Sequence, residues 1–337
     1  MFSRLFTRFD KPAAWQRAQA CGRLMMGACL MLMLGACAAG QSQALLQHRP
    51  ASLPVAAHVD HVPFFAQSEF QCGPAAQAMM LSWAGKPLSP EQLSPGLFIP
   101  DKNGSLQIEM LAMPLRYGML AYPLAPKLAD LLGEVGAGHP VLVFQNLALS
   151  WYPQWHYAVV IGYDLHDRTI TLHSGQEAEH RIPLSTFEHT WARAGYWAML
   201  SLPPDTLPAR VDEARLMQAA VSLEQASQPQ AAAMVYQAAL QRWPLSLTAR
   251  MGRGNSYYSL GQLDKAGQAF YQATIDHPDA AAAYNNLAQV YFEQGRKDDA
   301  RDAIRQAMHL DGESQLYRNT QDAIRNATGN GYGVNHE

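Results

Sequence analysis

From about Asp212 to Ser314 the chain repeats itself every 34 residues. Laying Leu247 to Ala280 over Ala281 to Ser314 pairs Gly254 with Ala288, Tyr257 with Tyr291, Gly261 with Gly295, Ala266 with Ala300, Phe270 with Ile304 and Ala273 with Ala307. One period earlier, Ala220, Leu223, Ala232, Tyr236, Ala239 and Pro244 fall on the same register, and Pro278 matches Pro244. A helical hairpin of this length cannot bury its apolar face alone, so successive repeats must stack into a solenoid. Small residues let paired helices approach, and aromatics fill the space between repeats. Three such units meet the usual minimum for a stable stack. A last helix from Gln315 to Asn326 is expected to cap the exposed end, with Gly329 to Glu337 as a loose tail.

Those small and aromatic positions resemble the tetratricopeptide repeat, which implies an all-α solenoid over residues 212–328 and a protein partner held by it. A proline-rich stretch, Pro203 to Pro208, opens a linker at residues 204–211 that separates the repeats from what precedes them.

The N-terminus reads as an export signal. Arg4, Arg8, Lys11, Arg17 and Arg23 precede an apolar run from Leu24 to Leu34, too short to favour a transmembrane span, and small residues Gly35 and Ala36 follow. Leu34-Gly35-Ala36-Cys37 resembles the bacterial lipobox. The resemblance implies lipidation of Cys37, removal of residues 1–36, and, with Ala38 rather than Asp next, a lipoprotein of the outer membrane facing the periplasm. Removing that segment leaves 20 Lys and Arg (25 minus 5) against 27 Asp and Glu (28 minus 1), a net charge of −7. An acidic mature chain is not a nucleic-acid binder, since phosphate neutralisation needs a basic surface. Residues 37–57, rich in Ala, Gln, Ser and Pro, read as a tether between lipid and domain.

Residues 58–203 have the pattern of an α+β domain. A short strand is expected at His61–Phe65, a helix from Cys72, a helix capped by Ser105, and another over Lys127–Val135. Short apolar runs at Pro140–Phe144, His156–Tyr163, Thr169–His173 and Trp197–Leu202 then read as the strands of a sheet.

Cys72 stands out in this domain. Pro74 and the Ala-rich run after it put Cys72 at a helix N-terminus, where backbone N–H groups and the helix dipole favour a thiolate. Cys21 and Cys29 leave with the signal and Cys37 carries lipid, so Cys72 has no disulfide partner, in a compartment where an unpaired thiol is either buried or used. A small cysteine packed against a core helix is the competing structural reading. A nucleophilic cysteine needs a base, and His156, at the start of an apolar strand behind Trp155, is the candidate. No pair of histidines has metal-ligand spacing, and there is no Gly-x-x-x-x-Gly-Lys-Ser/Thr loop, so neither a metal, nor a cofactor, nor a nucleotide is expected.

Gln67, then Cys72-Gly73-Pro74-Ala75 five residues on, then the distant run from His156 to Tyr163, resemble the papain-like cysteine peptidases that process bacteriocin leaders. The chain as a whole resembles a subfamily of bacterial lipoproteins that join such a domain to tetratricopeptide repeats. The peptidase resemblance covers His61 to Leu202 and implies Cys72 as nucleophile, His156 as general base, and Gln67 with the Cys72 backbone N–H as oxyanion donors. Where the family has Asp followed by Pro after the histidine strand, this chain has His173-Ser174-Gly175, so Ser174 takes the third position. Serine accepts a hydrogen bond from an imidazole without stabilising an imidazolium by charge. The sequence therefore points to an α+β papain-like cysteine peptidase domain followed by an all-α solenoid. Its expected partners are a peptide or protein substrate, a protein held by the repeats, and a membrane reached through the lipid. A catalytically silent, peptidase-like binding scaffold, and acyl transfer or amide hydrolysis on a non-protein substrate, are the alternatives.

Overall fold

The computed structural model describes residues 40–67 and 70–329. The export segment 1–36, Cys37 and residues 330–337 of the expected tail lie outside the described residues.

The N-terminal unit is an antiparallel sheet covered on both faces. Strands β1 (Ala56–His58), β2 (Leu120–Pro123), β3 (Val141–Asn146), β4 (Trp155–Asp164), β5 (Thr169–Ser174), β6 (Glu177–Pro183) and β7 (Ala198–Leu202) build it. Their order is β2-β7-β3-β4-β5-β6, with β1 pairing the far end of β4. β4 reads as a continuous apolar run because both of its faces are buried. Tyr157, Val159 and Ile161 join one core and Ala158 and Val160 the other, the period of two that a pleated strand imposes. On the first face sit α2 (Cys72–Trp83), α3 (Pro90–Leu97) and α4 (Gln107–Arg116), through Ala76, Met79, Met80, Leu93, Leu97, Met110 and Met113. On the second sit α5 (Leu128–Gly136) and α6 (Leu184–Ala192), through Leu131, Leu132, Val135, Phe187 and Trp191.

The strands expected at 140–144, 156–163, 169–173 and 197–202 correspond to β3, β4, β5 and β7. β2, β6 and α6 were not legible: β2 has four residues, β6 is mostly polar, and α6 has no side-chain cap bond. The strand expected at His61–Phe65 lies earlier, at β1. Pro63 lacks a donor for a ladder, and the Val62 carbonyl instead accepts from His173 Nε2 at 3.1 Å. Ser105 does not cap α4. That helix begins at Gln107 with Leu106 at its cap and no side-chain cap bond.

The expected tether is also corrected. Residues 40–47 form a helix, α1 (Gly40–Gln47), and Ser42, Leu45 and Leu53 are buried. The buried Glu188 carboxylate of α6 accepts the Gln41 N–H at 2.8 Å and the Ser42 N–H at 2.7 Å, so a distant acid satisfies the helix start. Gln41 Oε1 accepts the Leu128 N–H at 2.7 Å and ties α1 to α5. The polar composition hid this because both anchors lie far along the chain.

After Leu202 the helices α7 (Glu213–Gln225), α8 (Pro229–Arg242), α9 (Leu247–Ser259), α10 (Leu263–Asp276), α11 (Ala281–Glu293), α12 (Lys297–Leu310) and α13 (Gln315–Gly329) form the solenoid. The first helix of each pair begins at Glu213, Leu247, Ala281 and Gln315, each 34 residues after the last. Gly254 shows why small residues recur: a Cβ there would stand 2.4 Å from the Phe270 ring. The linker is held by the buried Glu134 of α5, whose carboxylate accepts N–H groups of Ala209 at 3.0 Å and Arg210 at 2.9 Å and contacts His139 Nδ1 at 2.9 Å.

Candidate active site

A cavity of about 830 Å³ opens between the start of α2, the start of β4 and the loop before α4. Cys72, His156 and Gln67 all line it. Ser174 contacts it through His156, whose Nε2 lies 2.9 Å from Ser174 Oγ. The fifth expected site residue, Cys37, lies outside the described residues.

Cys72 is the first residue of α2, with Gln71 before it and no side-chain cap. Pro74 is the third helical residue rather than the first, and its missing N–H falls where a helix leaves donors unused. The preceding Phe70 has a φ of 64°, a left-handed conformation that a bulky aromatic rarely takes, and its ring lines the cavity. Gly73 is required by a close approach. A Cβ there would lie 2.2 Å from Ser105 Oγ, a hydroxyl that is itself buried without a hydrogen-bond partner.

Electrostatics at Cys72 run against the helix-terminus expectation. Burial pushes its thiol above the ordinary value, and the backbone N–H groups of Tyr157, Gly73 and Cys72, which favour the thiolate, offset only part of that. Burial likewise pushes His156 down to about 4. At neutral pH the pair is thiol and neutral imidazole, so the chemistry open to it is general-base abstraction coupled to attack rather than a standing ion pair. No acidic side chain lines the cavity among the described residues, and Lys102 is its one Lys or Arg.

Gln67 is buried and tied on three sides. Its Nε2 donates to the Tyr157 carbonyl at 3.2 Å, its Oε1 accepts the Gly175 N–H at 3.0 Å, and its own N–H donates to the Gly175 carbonyl at 2.9 Å. Gln176 Nε2 donates to the Gln67 carbonyl. One amide N–H of Gln67 is left for a ligand. Tyr157 ties the other wall, donating from its phenol to the Ser105 carbonyl at 3.3 Å, and burial pushes that phenol up so that it stays protonated.

Sequence reasoning missed Phe70, Lys102, Ser105, Leu106, Phe144 and Trp155 as cavity walls. The one available signal was the aromatic pair flanking His156, Trp155 and Tyr157, just before the aliphatic run Ala158 to Ile161. Asp164, at the opposite end of β4, serves its turn instead: its Oδ1 accepts the N–H groups of His166 at 2.9 Å and Asp167 at 3.0 Å. Asp164, His166 and Asp167 also form a group of metal-ligand type. These bonds, with the 2.9 Å ion pair from Asp167 to Arg181, account for them as an ordinary turn.

Fold and cavity together define an α+β domain with a cysteine and a histidine in one cleft, followed by a helical solenoid. Residues 59–199 match the model of the Peptidase_C39 like family, and residues 217–276 and 261–324 match two tetratricopeptide repeat models. The N-terminal unit is thus similar to C39-like peptidases, and the helices after it are similar to tetratricopeptide repeats. Among solved structures, the chain is similar to a putative C39-like peptidase from Bacillus anthracis (19% identity, 44% of this chain and 97% of that one, TM-score 0.37). It is also similar to the Sgt2 TPR domain from Aspergillus fumigatus (18% identity, 37% of this chain and 86% of that one, TM-score 0.35). Among curated proteins, the response regulator aspartate phosphatase E of Bacillus subtilis (strain 168) is 31% identical over 84 residues, 23% of this chain. The matched stretch spans 22% of that protein's length.

Proposed function

We propose that the chain is a cysteine peptidase, anchored by lipid at Cys37 to the outer membrane and facing the periplasm, whose repeats hold the protein substrate or partner. The observation that carries the chemistry is the meeting of Cys72, His156 and Gln67 in one cavity, with Ser174 Oγ 2.9 Å from Nε2 of the imidazole. In this reading Cys72 Sγ attacks the peptide carbonyl carbon as its proton passes to His156. The carbonyl oxygen takes hydrogen bonds from the Cys72 N–H and the second N–H of Gln67. Collapse expels the amine, which leaves with the proton from His156, and a thioester remains. Water deprotonated by His156 then releases the acid and regenerates the thiol. Ser174 accepts from Nε2–H and fixes the tautomer that leaves Nδ1 free as base.

A second reading, a peptidase-like domain that binds without cutting, is favoured by one specific observation: burial stabilises the thiol of Cys72 rather than the thiolate. Acylation by p-nitrophenyl acetate separates the two. A working site gives a stoichiometric burst of nitrophenolate that vanishes in Cys72→Ala and slows by about a hundredfold in His156→Ala. A wild-type burst no faster than that of His156→Ala leaves the binding scaffold.

A further inference from the structure

The walls of the cavity are apolar to a degree that cysteine chemistry alone does not require. Trp155 stacks on Phe144 with ring centres 5.2 Å apart and planes 14° apart, and Tyr157 packs on Phe144 at 4.6 Å. Phe70 and Leu106, both exposed, line the same cavity from other elements. Outside it, the hairpin joining β3 to β4 continues the surface with Leu147, Leu149, Trp151 and Tyr152, of which Trp151 is 80% and Tyr152 72% exposed.

This hairpin is a built support. Leu147 N–H donates to the Gln154 carbonyl at 2.9 Å and Tyr152 N–H to the Leu149 carbonyl at 3.1 Å. Inside the turn the buried Asn146 accepts on Oδ1 from the Ala148 N–H at 3.1 Å and the Gln154 N–H at 3.0 Å, and its Nδ2 donates to the Leu149 carbonyl at 3.3 Å. The Arg193 guanidinium donates through Nε and Nη2 to the Asn146 carbonyl from below. A fixed loop that holds indole, phenol and leucine side chains in water marks a binding surface.

We infer that the cleft selects extended peptide segments bearing a large apolar side chain, received by the aromatic wall of Phe144, Trp155 and the β3–β4 hairpin. The inference rests on the peptidase reading above and names its substrate class. The occupant follows from continuity with the site: Pro153, Gln154 and Trp155 of the hairpin line the same cavity as Cys72 and His156, so a chain lying on the aromatic wall runs into the nucleophile. Charge agrees, since Lys102 is the one Lys or Arg among the lining residues and no Asp or Glu is among them, so neutral or acidic flanks fit and basic ones do not. A bilayer is the other surface that takes exposed indoles and leucines. It is disfavoured because Pro153, Gln154 and Trp155 of the same hairpin line the Cys72 cavity, and because residues 147–155 contain no Lys or Arg to meet lipid headgroups.

The test uses the full chain with Cys72→Ala and two fluorescently labelled pentapeptides that differ only in an adjacent pair, leucine–phenylalanine in one and serine–serine in the other. Fluorescence anisotropy is expected to show the apolar peptide bound at least about tenfold more tightly, with that preference falling to about twofold in Trp155→Ser. Trp151→Ser, at a position too exposed to carry the fold, is expected to cut it by about threefold. Equal affinity for the two peptides, or a preference unchanged in both tryptophan variants, overturns the inference. So does equal affinity together with quenching by brominated phosphatidylcholine vesicles that disappears in Trp151→Phe, which assigns the hairpin to the membrane. Because binding is read without the nucleophile, the two claims fail separately. A nitrophenolate burst without peptide preference removes only the substrate class, and a preference without a burst removes only the peptidase reading.

Discussion

His156 and Cys72 are held in their neutral forms by burial, and this sets the pH behaviour of the site. His156 loses its proton at about 4, so acylation is expected to rise on a one-proton limb near pH 4 and run level to neutrality. The unfolded imidazole takes up its proton first, near 6.5, so this residue's contribution to stability, up to about 3 kcal/mol, is present above 6.5 and lost as pH falls toward 4. For Cys72 the sign is opposite: its raised value favours the fold below pH 9 and is lost above it. Ser174→Asp puts a carboxylate where a hydroxyl now lies 2.9 Å from Nε2. The expected outcome is an acid limb moved up by about 1–3 pH units and, through the imidazolium so favoured, faster iodoacetamide alkylation of Cys72 at pH 7. A limb that stays near pH 4 means that Ser174 does not govern the base. Residue types alone singled out Cys72 and a candidate base in His156, and the resemblance to leader-processing peptidases added Gln67 before any fold was known. The thiol's direction was not legible, because a helix N-terminus is a local feature whereas burial of Cys72 is set by β4 and the loop at Ser105, distant in sequence.

At the scale of elements, legibility followed periodicity. The solenoid helices declare themselves because Gly254, Phe270 and their equivalents recur at a spacing that a random polar pattern does not sustain. β4 declares itself as an unbroken apolar run. By contrast α1 is specified by Glu188, and the start of α4 by a loop whose Ser105 hydroxyl turns toward Gly73 instead of capping. No short-range pattern reports either. The two bonds from Glu188 make a direct prediction. Glu188→Ala removes a buried acceptor from the N–H groups of Gln41 and Ser42, which leaves two donors unpaired and costs about 1–3 kcal/mol locally. Hydrogen exchange read by mass spectrometry is expected to show residues 40–47 losing protection while β4 keeps it. Unchanged protection over 40–47 would mean that the burial of Leu45, rather than the carboxylate, holds α1 in place.

Across the whole molecule, the cores do not divide where the linker does. One cluster runs from Leu120, Tyr122, Leu132 and Trp191 of the peptidase-like domain through Leu216, Ala220, Leu223 and Tyr236 of the first repeat to Ala249, while a separate cluster from Ala266 to Ile324 belongs to the later repeats. Hydrogen bonds reinforce the junction, from the Asp212 N–H to Tyr122 Oη at 3.0 Å and from Gln228 Nε2 to the Arg116 carbonyl at 3.3 Å. The proline-rich stretch that reads as a boundary is thus a pinned corner, and α7 packs directly on β2. Under the proposed function, a solenoid fixed this way would present a bound partner at a set angle to the cleft. The energetic consequence distinguishes two truncations. Ending the chain after Pro203 strips the first repeat from Leu120 and Tyr122, and the remainder is expected to bind a hydrophobic dye and to lose its cooperative thermal transition. Ending it after Asp276 removes most of the second cluster but leaves the shared core covered, and a transition close to that of the intact chain is expected, since distal repeats contribute mainly through their nearest neighbours. A fragment ending at Pro203 that melts cooperatively at the intact chain's temperature would show that the two units fold independently and that their common core is a contact without energetic weight.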